Sequence, residues 1–218
     1  MAKRTHRKKR SADAHNVPRI VARAKFPTQY GQFTVLGIEG AEKLSLTGTA
    51  ETAVALQHGK IHRGDAPLVR IHSQCLTGDV FHSERCDCRA QLEMALRETA
   101  RARCGIVLYL PQEGRGIGLM NKLKAYELQD RGMDTVEANR ELGFDADHRD
   151  YKFCAEALKL MGVKKVRLLS NNPDKVHQLE RGGIRVVERV PCRPPTSQHS
   201  HSYLKTKKEK LGHILGAI

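Results

Sequence analysis

Residues 75–88 read CLTGDVFHSERCDC, and the rest of the chain is interpreted outward from this stretch. Three of the six cysteines, Cys75, Cys86 and Cys88, fall inside it. Thiolate is a soft ligand that binds zinc at neutral pH, and zinc asks for little beyond a roughly tetrahedral arrangement. Three cysteines from one loop and the turn beside it can cover one side of such an ion. The fourth position would then be open to water, as in catalytic zinc sites.

The same cysteines allow other interpretations. His72 or His82 lies close enough in sequence to supply a fourth ligand, which would make the zinc site structural. A disulfide would leave one odd cysteine, and free cysteines are often simply buried in a core. The residue types favour zinc and leave open whether the site is catalytic or structural.

Length and composition limit the class of protein. The chain has 218 residues, enough for one large domain or two small ones, and 39% of them are hydrophobic. No apolar run approaches the ~20 residues that span a bilayer, and no signal-peptide pattern is visible. Six cysteines without a secretory signal favour a reducing compartment, so we expect a cytoplasmic protein that is not bound to a membrane.

Positive charge is concentrated at the N-terminus. The first ten residues contain no acid and six basic side chains, namely Lys3, Arg4, Arg7, Lys8, Lys9 and Arg10, in a chain of formal net charge +14. We interpret residues 1–17 as a disordered basic tail that could contact RNA or another polyanion, followed by a single domain over residues 18–218. The remaining excess of positive charge suits a polyphosphate substrate as well as nucleic acid.

The hydrophobic pattern predicts strands first and alternating helices and strands afterwards. The first third is predicted to be β-rich and antiparallel, with strands at residues 19–25, 33–38, 53–56 and 68–72. Further strands are predicted at 105–110, a continuous apolar run typical of a buried strand, and at 166–170 and 185–188. Helices are predicted at 90–102, 118–129, 135–142 and 151–161. We therefore expect an α+β, α/β-like fold around a mixed sheet.

Three polar motifs adjoin these elements. Residues 113–118 (EGRGIG) follow the buried strand and open a helix, where glycines and helix amides suit a phosphate group. Residues 170–175 (SNNPDK) end another strand, where α/β sheets collect ligands. Residues 145–150 (DADHRD) join two predicted helices. Taken alone, the first motif is equally well explained as a plain turn. The second is better explained as an Asn-Pro turn that starts a helix, and the third as a charged surface loop.

Taken together, the motifs resemble the GTP cyclohydrolase II family of riboflavin biosynthesis. The resemblance rests on residues 70–79, 85–88, 112–119, 135–139 and 168–175, and it extends from about Val21 to Leu215. It implies a zinc enzyme, usually a homodimer, that also needs magnesium. It further implies that GTP is the substrate and that its imidazole ring is opened with release of formate and pyrophosphate. The implied product is 2,5-diamino-6-(5-phosphoribosylamino)pyrimidin-4(3H)-one.

The resemblance also assigns roles by position. Cys75, Cys86 and Cys88 match the zinc ligands. Three further residues match catalytic positions: Asp147 the proposed general base, Arg149 the proposed nucleophile toward the α-phosphate, and Tyr126 a tyrosine near the ring-opening chemistry. The residues that match GTP contacts are Arg70, Ile71, His72, Ser73, Gln74, Gln91, Glu113, Gly114, Arg115, Thr135, Ser170 and Lys175.

Four positions depart from the family pattern. Gln74 stands where the family usually has Glu, Glu84 replaces an apolar residue, and His82 and Arg89 stand where glycines are usual. These departures leave open a divergent paralogue that acts on GTP or another purine nucleotide and stops at a different product. A non-catalytic nucleic-acid-binding module with a structural zinc is the other alternative, although aromatic residues make up only 5% of the chain.

Overall fold

A computed structural model of the protein describes residues 18–40, 51–145, 149–194, 201–210 and 212–215. Seven strands in these residues form one sheet in the order β1-β2-β3-β5-β4-β6-β7. The strands are β1 (Arg19–Thr28), β2 (Gly31–Glu39), β3 (Thr52–His58), β4 (Leu68–Ser73), β5 (Gly105–Leu110), β6 (Lys165–Leu169) and β7 (Arg185–Val190).

Seven α-helices accompany the sheet in the same described ranges. They are α1 (Leu76–Asp79), α2 (Cys88–Arg101), α3 (Leu119–Asp130), α4 (Thr135–Glu141), α5 (Lys152–Leu160), α6 (Pro173–Arg181) and α7 (His201–Lys210). A 3₁₀ turn at Glu113–Gly116 joins β5 to α3. The expected α+β fold with a mixed sheet is confirmed. No helix among the described residues is both long and apolar enough to cross a bilayer.

The sheet is antiparallel on one side and parallel on the other. β1, β2, β3 and β5 pair antiparallel, whereas β5, β4, β6 and β7 pair parallel. The expectation of an antiparallel first third is therefore wrong for β4. The physical reason is the connection: β4 reaches β5 through α1 and α2, and a helical crossover brings the chain back in the same direction.

Helices pack on both faces of the sheet. On one face, Leu36, Val69, Ile106 and Leu108 form a core with α5 and α6, whose Leu158 and Leu179 are fully buried. On the other face, Leu68, Val107 and Leu169 pack against Ala95 of α2. Because side chains alternate along a strand, the β4 residues Arg70 and His72 lie on the opposite face from Val69 and Ile71.

The helix α3 packs differently from its sequence pattern. The helical spacing of Leu119, Leu123 and Tyr126 predicts that these three residues form the apolar stripe of α3. In the structure Leu123 is 43% exposed, and Ala125 is the buried residue of the helix. The helix turns Lys122 and Tyr126 toward a cavity instead. The apolar-stripe prediction is therefore wrong for Leu123, because polar groups across the cavity stabilise the other face of the helix.

Candidate active site

One cavity lies at the edge of the sheet where β4, β5 and β6 end. Three segments follow these strands and contribute to its wall: residues 74–88, called the cysteine loop although they include α1, residues 111–118, called the glycine loop, and residues 170–172. Since the three strands are parallel, their carboxyl ends meet at this edge, where α/β sheets bind ligands. The predicted site residues that line the cavity are Arg70, His72, Ser73, Gln74, Cys75, Cys86, Cys88, Gln91, Glu113, Gly114, Arg115, Tyr126, Thr135, Arg149, Ser170 and Lys175.

Two predicted site residues differ from the rest. The side chain of Ile71 is buried in the core that contains Val69, and only its carbonyl oxygen reaches toward the site, where it accepts a hydrogen bond from Lys175 Nζ at 2.9 Å. Asp147 lies outside the described residues, so its role stays a prediction.

The three predicted metal ligands form a compact cluster. The Sγ atoms of Cys75, Cys86 and Cys88 lie within 4.8 Å of one another, and those of Cys75 and Cys86 are 3.6 Å apart. Zinc–sulfur bonds of about 2.3 Å in a tetrahedron place sulfur atoms roughly 3.8 Å apart. The donor set and its spacing therefore fit a zinc ion.

Gly78 gives this cluster its space. A Cβ atom at this position would lie 3.0 Å from Cys86 Sγ, 3.2 Å from Cys75 Sγ and 3.2 Å from Cys88 Cβ. Such distances are tighter than ordinary packing, so a side chain at this position would have to displace the cysteines by a few tenths of an ångström. The glycine thus allows the three cysteines to approach closely.

Neither candidate for a fourth ligand joins the cluster. In the described part of the chain, no His, Asp or Glu shares the metal-sized group with the three sulfurs. His72 Nε2 is 3.1 Å from Asp79 Oδ2, and His82 is exposed with a φ of 56°. The geometry therefore favours three protein ligands, the number typical of catalytic zinc sites.

Asp79 is a buried acceptor that connects the cluster to β4 and β5. Its Oδ2 accepts from the backbone N–H of Cys75 at 3.0 Å and from Tyr109 Oη at 2.9 Å, in addition to His72. Burial lowers the pKa of His72 despite its hydrogen bond with Asp79, so the neutral ring donates from Nε2. Asp79 thus fixes both the start of the cysteine loop and the orientation of His72.

Lys122 of α3 is a site residue that the sequence patterns missed. Its Nζ lies 3.1 Å from Cys75 Sγ and 2.7 Å from Glu113 Oε1. Burial opposes its charge, but Cys75 and Glu113 raise the pKa of Lys122 overall, so it stays protonated. Glu113 also accepts from the backbone N–H of Leu76 at 2.6 Å, which ties the glycine loop to the cysteine loop. The available signal was the spacing of Lys122 and Tyr126, which puts both on one helical face.

Tyr126 lies beside the cysteines, as the resemblance implies. Its hydroxyl is 3.2 Å from Thr77 Oγ1, and Thr77 Oγ1 is 3.7 Å from Cys75 Sγ. Burial raises the pKa of Tyr126, so the phenol is protonated at neutral pH and can donate a hydrogen bond or a proton. Arg85 stacks over its ring at 4.9 Å and pairs with Asp130 at 2.6 Å, which holds the ring in place.

The glycine loop has an unusual, largely left-handed backbone. Gly114 and Arg115 both adopt φ near 60°, and Gly116 and Gly118 follow with φ of 94° and 82°. The N–H groups of Gly114, Ile117 and Gly118 donate within the loop, so the part of the loop placed to meet an anion is chiefly the Arg115 side chain, which lines the cavity. Arg115 is not a glycine, so its conformation carries strain of the kind found at binding sites.

Basic side chains from β4 and α6 also line the cavity. Arg70 donates to the carbonyl of Leu169 at 3.1 Å and also to Gln91, whose amide reaches Asp87. Lys175 is buried and lies 5.0 Å from the centre of the Tyr151 ring.

Arg149 lies close to the same aromatic ring. Its guanidinium is 5.8 Å from the ring centre of Tyr151, and its Nη1 is 3.5 Å from Ser73 Oγ. Ser170 Oγ accepts a hydrogen bond from the backbone N–H of Asn172 at 3.1 Å, and the Asn172 side chain caps α6. Residues 170–172 therefore also form the turn that the sequence predicts.

The cavity wall carries a strong excess of positive charge. Among the described residues, Glu113 is the one carboxylate in the wall, and it is paired with Lys122. The cationic side chains in the wall are Arg70, Arg85, Arg115, Lys122, Arg149, Lys175 and Lys207. Such a concave, cationic surface favours a ligand with several negative charges.

Comparison with known families identifies the chain. The model of the family GTP cyclohydrolase II matches residues 19–191. The chain belongs to the GTP cyclohydrolase II family. The predictions of this family and of an enzyme are confirmed, and the alternative of a non-catalytic nucleic-acid-binding module loses its support.

Similar proteins agree with this assignment. This family member is 50% identical over 201 residues to a riboflavin biosynthesis protein of Vibrio vulnificus (strain YJ016), and it spans 53% of that protein, about half its length. That match covers 92% of the present chain. It is 49% identical over 197 residues to a GTP cyclohydrolase-2 of Haemophilus influenzae (strain PittEE), with 90% of this chain and 88% of that one covered. A GTP cyclohydrolase-2 of Buchnera aphidicola subsp. Acyrthosiphon pisum (strain APS) is 48% identical over 196 residues, with 90% and 98% covered.

A solved structure shows a weaker likeness. The two-domain 3,4-dihydroxy-2-butanone 4-phosphate synthase RibBX from A. baumannii has a TM-score of 0.38 and 17% identity, over 71% of this chain and 34% of that chain. A score this low does not establish a common fold.

The four departures from the GTP cyclohydrolase II pattern lie mostly outside the cavity. Gln74 lines it, whereas His82, Glu84 and Arg89 do not. His82 occupies a left-handed conformation, which accounts for the glycine that is usual there. Arg89 is helical and donates to the carbonyl of Asp79 at 2.7 Å, so it needs no glycine. Of the four departures, Gln74 is therefore the one placed to contact a ligand in the cavity.

Proposed function

We propose that this protein is a zinc-dependent GTP cyclohydrolase II that acts in the first step of riboflavin biosynthesis. It would open the imidazole ring of GTP and release formate and pyrophosphate, leaving 2,5-diamino-6-(5-phosphoribosylamino)pyrimidin-4(3H)-one. The observation that carries the proposal is that a three-cysteine cluster and a wall of basic side chains share one cavity. A purine nucleoside triphosphate has the two matching parts, a base to be attacked and a chain of negative charges.

At the cysteine end, Cys75, Cys86 and Cys88 would hold the zinc ion. When bound, zinc supplies Lewis acidity that activates water for attack on C8 of the guanine. Tyr126 offers a protonated hydroxyl beside the cluster and can donate to a ring nitrogen as the ring opens. Lys122 keeps a positive charge against Cys75 and stabilises its thiolate.

At the basic end, the triphosphate would lie against Arg115 and Lys175. These groups neutralise the charge on the leaving pyrophosphate. Because the one carboxylate in the described wall, Glu113, is already paired with Lys122, we expect magnesium to bind mainly through the phosphate oxygens.

Arg149 and Asp147 would act at the α-phosphate. A guanidinium stays protonated and is a poor nucleophile unless a carboxylate base lies within hydrogen-bond reach, which is the role assigned to Asp147. Arg149 could instead stabilise negative charge while water attacks. We further expect a cytoplasmic homodimer, as the family resemblance implies.

The deciding experiment incubates the pure protein with GTP and magnesium and identifies every product by mass. We expect formate, pyrophosphate and the diaminopyrimidine. Cys86→Ser should abolish formate release, and Arg149→Ala should reduce pyrophosphate release by orders of magnitude while zinc stays bound. Arg63→Ala, the same change at an exposed position, should leave both products unchanged.

Two outcomes would contradict the proposal. Consumption of GTP without formate would favour the divergent paralogue with a different stopping point. Full activity in a protein from which exhaustive chelation has removed all zinc would show that the reaction does not need the metal.

A further inference from the structure

Part of the cavity wall comes from the C-terminal segment, of which residues 201–210 and 212–215 are described, although the family match ends at residue 191. Lys207 of α7 and His213 beyond it both line the cavity. Leu204 is 3% exposed and anchors the helix. The backbone N–H of Ile214 donates to the carbonyl of Asn171 at 2.9 Å, in the loop that follows β6. This segment is therefore packed onto the site at several points.

A buried ion pair joins α7 to the cysteine loop. Lys207 Nζ lies 2.7 Å from Asp87 Oδ1, and the two side chains are 9% and 4% exposed. Asp87 stands between Cys86 and Cys88, so Lys207 fixes the helix against the loop that holds the cysteine cluster.

His213 is surrounded by positive charge from four parts of the chain. The basic groups that act on it are Lys207 of α7, Lys175 of α6, Arg149 before α5 and Arg115 of the glycine loop. Burial, together with these four cations, lowers the pKa of His213 to about 3. The four cations disfavour a second proton on the His213 imidazole. The N–H of the neutral ring can nevertheless donate a hydrogen bond to an anion that enters the cavity.

We propose that the described C-terminal residues, 201–210 and 212–215, place a phosphate-binding wall on the nucleotide site, in which His213 donates a hydrogen bond to the phosphate chain and Lys207 holds the wall on the cysteine loop. The proposal rests on the proposed function, which supplies a guanine nucleotide as the ligand. Three of the cations around His213, namely Arg115, Arg149 and Lys175, are the groups assigned to the phosphates. His213 therefore lies where negative charge is expected, and Lys207 is a positioning residue.

The test uses the full chain loaded with zinc, in the presence of magnesium. Calorimetry measures its affinity for two ligands, a hydrolysis-resistant α,β-methylene GTP and guanosine. His213→Ala should weaken binding of the triphosphate analogue by about 10- to 100-fold, the range for a lost charge-assisted hydrogen bond. It should leave guanosine affinity unchanged, because guanosine has no phosphate. His177→Ala, the same change at an exposed position of α6, should change neither affinity.

Lys207→Met should weaken binding of the analogue as well and speed trypsin cleavage within residues 201–210. Lys164→Met removes the same charge from an exposed position outside this segment and should do neither. Equal affinity of wild type and His213→Ala for the analogue would overturn the phosphate-binding wall. If His213→Ala lost guanosine affinity in parallel with analogue affinity, the proposal would also be overturned, because the substitution would then have damaged the whole site.

Failure of the proposed function gives a different result. A wild-type protein that binds no guanine nucleotide would contradict that function, and inorganic tripolyphosphate would then be the probe. Weaker tripolyphosphate binding by His213→Ala than by His177→Ala would still support the wall, and equal binding would refute it.

Discussion

Lys122 illustrates what a single residue adds to the site. The helical period predicts that charged residues of α3 face water, yet the Lys122 side chain is only 11% exposed. Its counter-charges, Cys75 and Glu113, come from two loops that precede it by 47 and 9 residues. A pattern within one helix cannot reveal such partners, because they are brought together only when β4 and β5 pair.

Lys122→Met should make the protein lose its zinc faster. Without the ammonium, the negative charge of three thiolates is no longer balanced, and Glu113 stays buried without its cation. We expect zinc transfer to a chelator to be about 10- to 100-fold faster, the usual effect of removing a group that supports metal ligands. Lys124→Met on the exposed side of α3 is the matched control. Equal transfer rates for the three proteins would show that Lys122 does not support the metal.

His213 should make stability depend on pH. Its folded-state pKa of about 3 lies below the ordinary value of 6.5, so the unfolded chain binds one more proton below pH 6.5. Stability is then fully present above pH 6.5 and falls as the pH falls toward 3. In urea unfolding between pH 5 and 6, His213→Gln should reduce the slope of the unfolding free energy by up to about 1.4 kcal/mol per pH unit. Carboxylates and cysteines contribute equally to both proteins, so identical slopes would contradict this expectation.

At the scale of elements, local signals were sufficient for strands and helix ends. The apolar run at residues 105–110 is β5, and Gly143 and Gly162 end helices with φ of 79° and 78°, as a left-handed cap requires. The direction of β4 was predicted wrongly because strand pairing is decided by the crossover connection. The helix α7 was not predicted, since its burial depends on contacts with α4 and Asp87.

A side chain at Gly78, in the segment that follows β4, should weaken zinc binding and lower the stability of the protein. Gly78→Ala places a methyl group 3.0–3.2 Å from atoms of the three cysteines, which forces the sulfur atoms apart. We expect at least a tenfold loss of zinc affinity and a destabilisation of about 1–3 kcal/mol, typical of overpacking. Gly64→Ala strains a residue with φ of 91° that has open space around it, so it should cost some stability but leave zinc affinity intact. Unchanged zinc affinity in Gly78→Ala would refute the steric argument.

On the scale of the whole molecule, the parallel and antiparallel parts of the sheet differ in their relation to the cavity. The parallel strands β4, β5 and β6 bring together the loops that line the cavity, and β1, β2 and β3 extend the sheet away from it. The candidate site could be predicted from sequence because its residues cluster in a few motifs that follow these strands. Lys207 and His213 were missed because nothing in their own sequence context shows that α7 returns to the cysteine loop.

The basic tail belongs to this scale, because it precedes the sheet and every motif that lines the cavity. Residues 1–17 lie outside the described residues, and β1, which follows them, is an edge strand separated from β4 by three others. Deleting these residues should leave kcat/KM for GTP unchanged. If the tail contacts polyanions, affinity for a single-stranded RNA should fall, and the slope of log affinity against log salt should shrink by up to about 4 for six lost charges. Replacing the six basic residues by Gln in the full chain is the matched control, since it removes the charge and keeps the length. Loss of GTP turnover in the deletion but not in the Gln variant would show that the tail supports the fold, which is the opposite of what its sequence predicts.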